Sequence, residues 1–190
     1  VGCVWFEEAE LKAYEAEKGM RYVYFLREHR SAYVTASLAL MEKLTGIPAI
    51  PLKTKFGVAR ILSELYIQSV FDAEGDEREK LIGKGKEICA ALAAWIDTQP
   101  GLEKFLFQLD QIDANVPSLS FLTGVFSSLL QNRLPSKSRR QIEFLLLANF
   151  LGDIGQTALP EDVRKLKPKR MNQAQKRQFE KHPEASYLLL

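Results

Sequence analysis

Two residues in this chain have the chemistry to hold a cation or to move a proton. Asp153 stands alone between glycines in Gly152-Asp153-Ile154-Gly155, and His182 lies in Lys181-His182-Pro183-Glu184. A carboxylate and an imidazole are both ordinary ligands of divalent transition metals. Each also has a plain structural reading. Gly152 and Gly155 are residues of the kind that end helices, which makes Asp153 part of a turn. A histidine ahead of a proline at a helix start serves as a surface or capping residue. The other histidine, His29, reads as the solvated end of a strand. Cations gather on both sides of Asp153. Arg133, Lys137, Arg139 and Arg140 come before it; Arg164, Lys165, Lys167, Lys169, Arg170, Lys176 and Arg177 come after. Such clusters suit anions, and arginine is a good bidentate partner for phosphate, although the same runs also describe a solvated face. Aromatic rings that could stack on bases are not interleaved with these charges, so specific DNA or RNA binding is not expected.

The composition bounds what such residues can belong to. The chain has 190 residues, 46% of them hydrophobic, enough for one packed core of ordinary size. Its net charge of +2 argues neither for nor against a polyanionic partner. Cys3 and Cys89 are too few for a disulfide framework, and a reducing, cytoplasmic location is expected. No apolar run reaches the ~20 residues of a membrane span, so no membrane segment is expected. The chain opens on Val1 and closes on three leucines inside a helical pattern. It reads as a piece of a longer protein.

The elements that must position Asp153 and His182 follow from periodicity. Val1 to Phe6 is β-prone, Glu7 to Lys18 is an amphipathic helix stopped by Gly19, and Met20 to Leu26 returns to β-branched and aromatic residues. That pattern is a small β-α-β module over residues 1–30. From Ser31 onward the pattern is helical. Helices are expected over 31–44, 55–71, 80–97, 102–112, 118–131 and 138–151, separated by Gly46 and Pro48, by a stretch at 72–79 that is a polar joint or the charged start of the next helix, and by Pro100-Gly101, Pro117 and Pro135. Ser138 with Gln141 predicts a capping box at the start of the sixth helix. That helix is apolar nearly all round and is expected at the centre of a bundle. The fold class is therefore mainly α: a helical domain over 31–190 behind a small α/β piece over 1–30.

From the sixth helix onward the chain resembles the core of an HD-GYP domain, a branch of the HD superfamily of metal-dependent phosphohydrolases. The parallel residues are Gly152-Asp153-Ile154-Gly155-Gln156, Leu159-Pro160-Glu161-Asp162-Val163, Lys167-Pro168 and His182-Pro183-Glu184-Ala185-Ser186. They match the order and spacing of the family's His-Asp-x-Gly-Lys, Ile-Pro turn, Lys-Pro loop and His-Pro-Glu-x-Gly. The helix followed by Lys18-Gly19-Met20-Arg21-Tyr22-Val23-Tyr24-Phe25-Leu26 resembles the small α/β module ahead of some bacterial members. The resemblance implies an HD-type helical bundle, a bacterial signalling setting and cleavage of cyclic di-GMP at a centre of iron or manganese. It also implies that Asp153 and His182 are residual metal positions.

The departures from the pattern fall at the site. Gly152 stands where the family has its motif histidine, and Gln156 where it has the lysine that approaches phosphate. Ser118 or Ser120 stands where an earlier helix carries another histidine. Further histidines and the Gly-Tyr-Pro element would lie beyond Leu190. Two ligands fall short of the three that catalytic metal sites use, and without a metal no hydroxide forms at neutral pH. The expectation is a catalytically inactive module with no cofactor, or iron or manganese if a metal is retained. Cyclic di-GMP would be held through Arg164, Arg170 and Gln156, and a protein partner or a second copy would be engaged. An active phosphodiesterase completed by ligands outside the chain, or a purely structural helical protein, are the alternatives.

Overall fold

The structure, a computed structural model, describes residues 29–107, 115–135 and 138–190. The expected β-α-β module over 1–30 lies outside the described residues apart from its last two. So does the expected end of the 102–112 helix. Every regular element among the described residues is helical. These are α1 (Arg30–Thr45), α2 (Leu52–Asp72), α3 (Gly75–Thr98), α4 (Leu102–Phe107), α5 (Val116–Asn132) and α6 (Arg139–Leu151). After α6 come a 3-10 turn (Ile154–Ala158), α7 (Glu161–Arg164), a second 3-10 turn (Pro168–Arg170), α8 (Gln173–Phe179) and α9 (His182–Leu189). Residues Ser31–Leu190 form one compact unit. His29 is half-buried in a 3-10 turn entering α1, not at a strand end.

The core is a bundle of α2, α3, α5 and α6. The closest packing is between α5 and α6, α6 also lies on α3, and α2 lies on α3 and α5. α2 turns Phe56, Ala59, Leu62, Ser63, Tyr66, Ile67 and Val70 inward, a stripe at 3.6-residue spacing. Its two buried serines cost little, because Ser63 Oγ donates to the Ala59 carbonyl at 2.8 Å and Ser69 Oγ to the Leu65 carbonyl at 2.6 Å. A run of rings holds the bundle together. Phe56 meets Phe105 at 5.1 Å and Phe121 at 5.5 Å between centroids, Phe121 meets Phe150 at 6.5 Å, and Phe150 meets Tyr66 at 6.3 Å.

Two joints depend on left-handed glycines. Gly75 (φ +50°) turns the chain from α2 into α3, and Gly101 (φ +82°) turns it from α3 into α4. α3 therefore begins at Gly75, and of the two readings of the 72–79 stretch the charged start of the next helix is the one found. Asp76 and Glu77 lie there, where the helix dipole favours acids.

Two local expectations for the sixth helix fail. Ser138 is its N-cap residue, but its side chain makes no capping bond; Gln141 instead accepts from Gln131 Nε2 at 3.1 Å. The helix is also not central. It buries Ile142, Leu146, Phe150 and Leu151 and leaves Phe144 exposed, with the Arg140 guanidinium over the ring at 5.6 Å. The most buried positions are on α2 and α3 instead.

Beside the ring run, Gly85 of α3 makes room for Tyr66; a Cβ at position 85 would lie 2.0 Å from the Tyr66 hydroxyl. Burial raises the Tyr66 phenol well above its usual range. Burial, with a smaller contribution from the Glu143 carboxylate, pushes the Cys89 thiol up to about 12. An unfolded chain ionises Cys89 near 9.0 while the folded one keeps it neutral. Its contribution to stability is therefore complete below that pH and is lost as pH rises toward 12. The unfolding free energy from urea titration is expected to fall over this range, by up to about 1.4 kcal/mol per pH unit for this thiol. Cys89→Ala should flatten that part of the slope, and equal slopes for the two proteins would rule the assignment out.

Candidate functional site

Asp153 and His182 are separated by 29 positions, and the fold brings them together: His182 Nε2 lies 3.0 Å from Asp153 Oδ1. α6 does not stop at a left-handed glycine. Gly152 keeps right-handed helical geometry (φ −56°, ψ −32°), and the chain tightens through Asp153 into the 3-10 turn. Neither Gly152 nor Gly155 is thus a helix terminator of the expected kind. α9 then lies against that turn and carries His182 on its first residue.

The joint between α9 and the turn is made from backbone. Gly155 is buried, and a Cβ there would stand 2.0 Å from the His182 carbonyl oxygen and 2.4 Å from the Ser186 nitrogen. Glycine is needed for this closeness, not for its φ. The Ser186 hydroxyl is the hub. It accepts from the Gly155 N–H at 2.8 Å, and its single proton is directed to the Gly152 carbonyl at 2.7 Å or to the His182 carbonyl at 3.0 Å. One small buried side chain thus ties the residue before Asp153 and the turn after it to the helix that bears His182.

The imidazole is held on its other side as well. His182 Nδ1 lies 2.6 Å from the Phe179 carbonyl oxygen, and the Phe179 ring is 4.8 Å away. An Nδ1–H bonded to a backbone carbonyl leaves Nε2 to face outward, which is how metal-ligating histidines are commonly oriented. Both ring nitrogens lie against oxygens, Nδ1 on the Phe179 carbonyl and Nε2 on the Asp153 carboxylate. His182 is the more enclosed partner, with 15% of its side chain exposed against 40% for Asp153.

The donor set stops at two. Among the described residues no group of three His, Cys, Asp or Glu is placed to hold a metal ion. Position 152 has no side chain to offer; its φ and ψ suit any residue, but a Cβ would press on the preceding turn, whose carbonyl must give by a few tenths of an ångström. A Cβ there would meet the Ala148 carbonyl oxygen at 3.0 Å, with no other atom outside the preceding helical turn within 4 Å. Among the described residues the joint offers two donors, fewer than the three protein ligands a catalytic metal takes. Of the two serines where the family resemblance puts a histidine, Ser118 Oγ donates to Glu64 Oε1 at 2.6 Å and Ser120 Oγ is buried with no partner.

Gln156 is half-buried one turn past Asp153, its N–H bonded to the Asp153 carbonyl at 2.9 Å. Arg164 and Arg170 are exposed, on α7 and on the second 3-10 turn, and the structure gives neither a bond to Asp153 or His182. An open cavity of about 530 Å³ is lined by Asp97, Asn132, Ser138, Arg139 and Ile142 and includes none of the five candidate residues.

Sequence reasoning missed Ser186, because its partners are backbone atoms 31 and 34 positions away and leave no mark in spacing. It also missed α8, whose signal was present. Asn172 and Gln175 form a reciprocal capping box, with bonds of 2.9 and 3.0 Å. No helix among the described residues is long and apolar enough to cross a membrane. Comparison with protein-family models, with curated proteins and with solved structures gives no match to this chain.

Proposed function

We propose that this chain is a degenerate HD-GYP-like module that binds a partner or a nucleotide in cyclic di-GMP signalling, without phosphodiesterase activity of its own. The observation that carries the reading is the Asp153–His182 pair, closed to 3.0 Å beside a residue 152 that has no side chain. A carboxylate and an imidazole brought together from opposite ends of a cation-rich segment are what the resemblance requires of residual ligand positions. The glycine at 152 and the amide at 156 remove a ligand and a phosphate contact from it. Arg164 and Arg170, exposed on that segment, are the groups to which a phosphodiester would be assigned.

Metal content tests the reading directly. Purified protein should carry far less than one equivalent of iron or manganese. Gly152→His should raise affinity for either ion by at least about tenfold, since it restores a donor at a position whose φ and ψ suit any residue. One tightly bound equivalent in the parent protein would sink the proposal. Calorimetry with cyclic di-GMP should give a heat of binding that Arg164→Ala or Arg170→Ala diminishes. The orientation of His182 by the Phe179 carbonyl favours a second reading, an enzyme whose metal site is completed elsewhere. Turnover of cyclic di-GMP that Asp153→Ala abolishes would decide for it.

A further inference from the structure

α5 contains no Asp, Glu, Lys or Arg along its 17 residues, in a chain that is 26% charged. A helix buried on all sides explains such a composition, but α5 is not one. Phe121, Leu122, Val125 and Ser128 face the bundle, while Leu119, Thr123, Phe126 and Leu130 are exposed on the other side. Phe107 of α4 extends this surface, its ring 6.5 Å from that of Phe126.

The exposed stripe has a spacing that is compatible with its own copy. Leu119, Thr123, Phe126 and Leu130 follow each other at intervals of four, three and four residues, the same from either end. Two such helices laid antiparallel about a two-fold axis put Leu119 of each opposite Leu130 of the other, and Thr123 of each opposite Phe126 of the other. A large ring then faces a small side chain at both central positions, the alternation that lets two helices approach to about 8–10 Å. A two-fold interface must be self-complementary, and a face with no charge meets no like charge in its own copy.

We propose that this chain forms a homodimer in which α5 pairs antiparallel with α5 of a second copy through Leu119, Thr123, Phe126 and Leu130, with Phe107 closing each flank. The exposed area is of the right size. Leu119, Phe126, Leu130 and Phe107 are 48%, 36%, 66% and 76% exposed. At roughly 200 Å² for a whole side chain of this kind they present about 450 Å². A standard interface buries about 800 Å² per partner, of which about 56–58% is apolar, again about 450 Å². A lipid surface fits less well, since interfacial helices edge their apolar face with Lys and Arg, and α5 has neither. At its C-terminal end the stripe is flanked by the Arg133–Glu103 ion pair, one charge of each sign and so a rim that suits a two-fold.

Sedimentation equilibrium on the whole chain tests this at micromolar concentration. The expected mass is twice the 21.6 kDa of one chain. Phe126→Glu and Thr123→Arg should each weaken association by about 100-fold or more, with far-UV circular dichroism unchanged and the melting temperature lowered and no longer dependent on protein concentration. Combining them places opposite charges across the two-fold and should restore the dimer. A monomeric parent protein, its stripe covered by another segment or another protein, overturns the proposal. So does a dimer indifferent to both single substitutions, and failure of the double variant to recover overturns the antiparallel register.

Discussion

Gly155→Ala is expected to destabilise the helical unit by about 3 kcal/mol or more, at the upper end of overpacking costs. The added carbon would sit 2.0 Å from the His182 carbonyl oxygen and 2.4 Å from the Ser186 nitrogen. Both are backbone atoms of α9, so no rotamer change relieves the overlap and the helix must move. Moving it breaks the Gly155–Ser186 and Ser186–Gly152 bonds together and draws His182 Nε2 away from Asp153. Ser186→Ala is the informative comparison. It keeps the close approach and removes the hub, which leaves the buried Gly155 N–H without an acceptor, at about 1–3 kcal/mol. Urea denaturation of the two variants should rank them in that order. A Gly155→Ala cost below that of Ser186→Ala would mean that α9 is not seated as closely as described.

Phe121→Ala should cost about 3–5 kcal/mol, the usual range for deleting a fully buried ring. Phe121 is 0% exposed and stands between Phe56 of α2 and Phe150 of α6, so the variant opens a cavity where three helices meet. Phe144→Ala on the same bundle removes a ring that is 56% exposed and capped by Arg140, and should stay within about 0.5 kcal/mol of the parent. Thermal unfolding of both measures the contrast. Similar losses at 121 and 144 would contradict the assignment of Phe121 to the core and Phe144 to the surface.

What could be read from the sequence followed the range of each interaction. The helices from α2 to α6 were legible because their apolar stripes repeat within a few residues. The Asn115 cap of α5, whose side chain accepts from the Ser118 N–H at 2.8 Å, was not read, and the helix begins at Val116 and not at Ser118. Caps alone were less dependable. Ser138 and Gln141 have the capping-box pattern and do not form it, since Gln141 is engaged by Gln131 across the α5–α6 corner. Asn172 and Gln175 have the same pattern and do form it, on an exposed helix where nothing competes. The apolar run of α6 suggested a central helix, but composition cannot say which side of a helix the neighbours occupy, and Phe144 ended outside. Asp153 and His182 were identifiable from their types and the motifs around them. Their separation of 3.0 Å was not, because it depends on contacts among backbone atoms at Gly152, Gly155, His182 and Ser186.

That joint has a consequence for how the sequence can drift. Its bonds run from the Ser186 hydroxyl to a carbonyl at 152, an N–H at 155 and a carbonyl at 182, and none of them involves a side chain at position 152 or 156. Positions 152 and 156 are two of the places where the chain departs from the pattern it resembles; Ser186, in the place of that pattern's glycine, is another. Exchanges of side chain at 152 and 156 therefore remove none of these three bonds. The seat of α9 and the side chains at positions 152 and 156 are thus set by different atoms and can change independently.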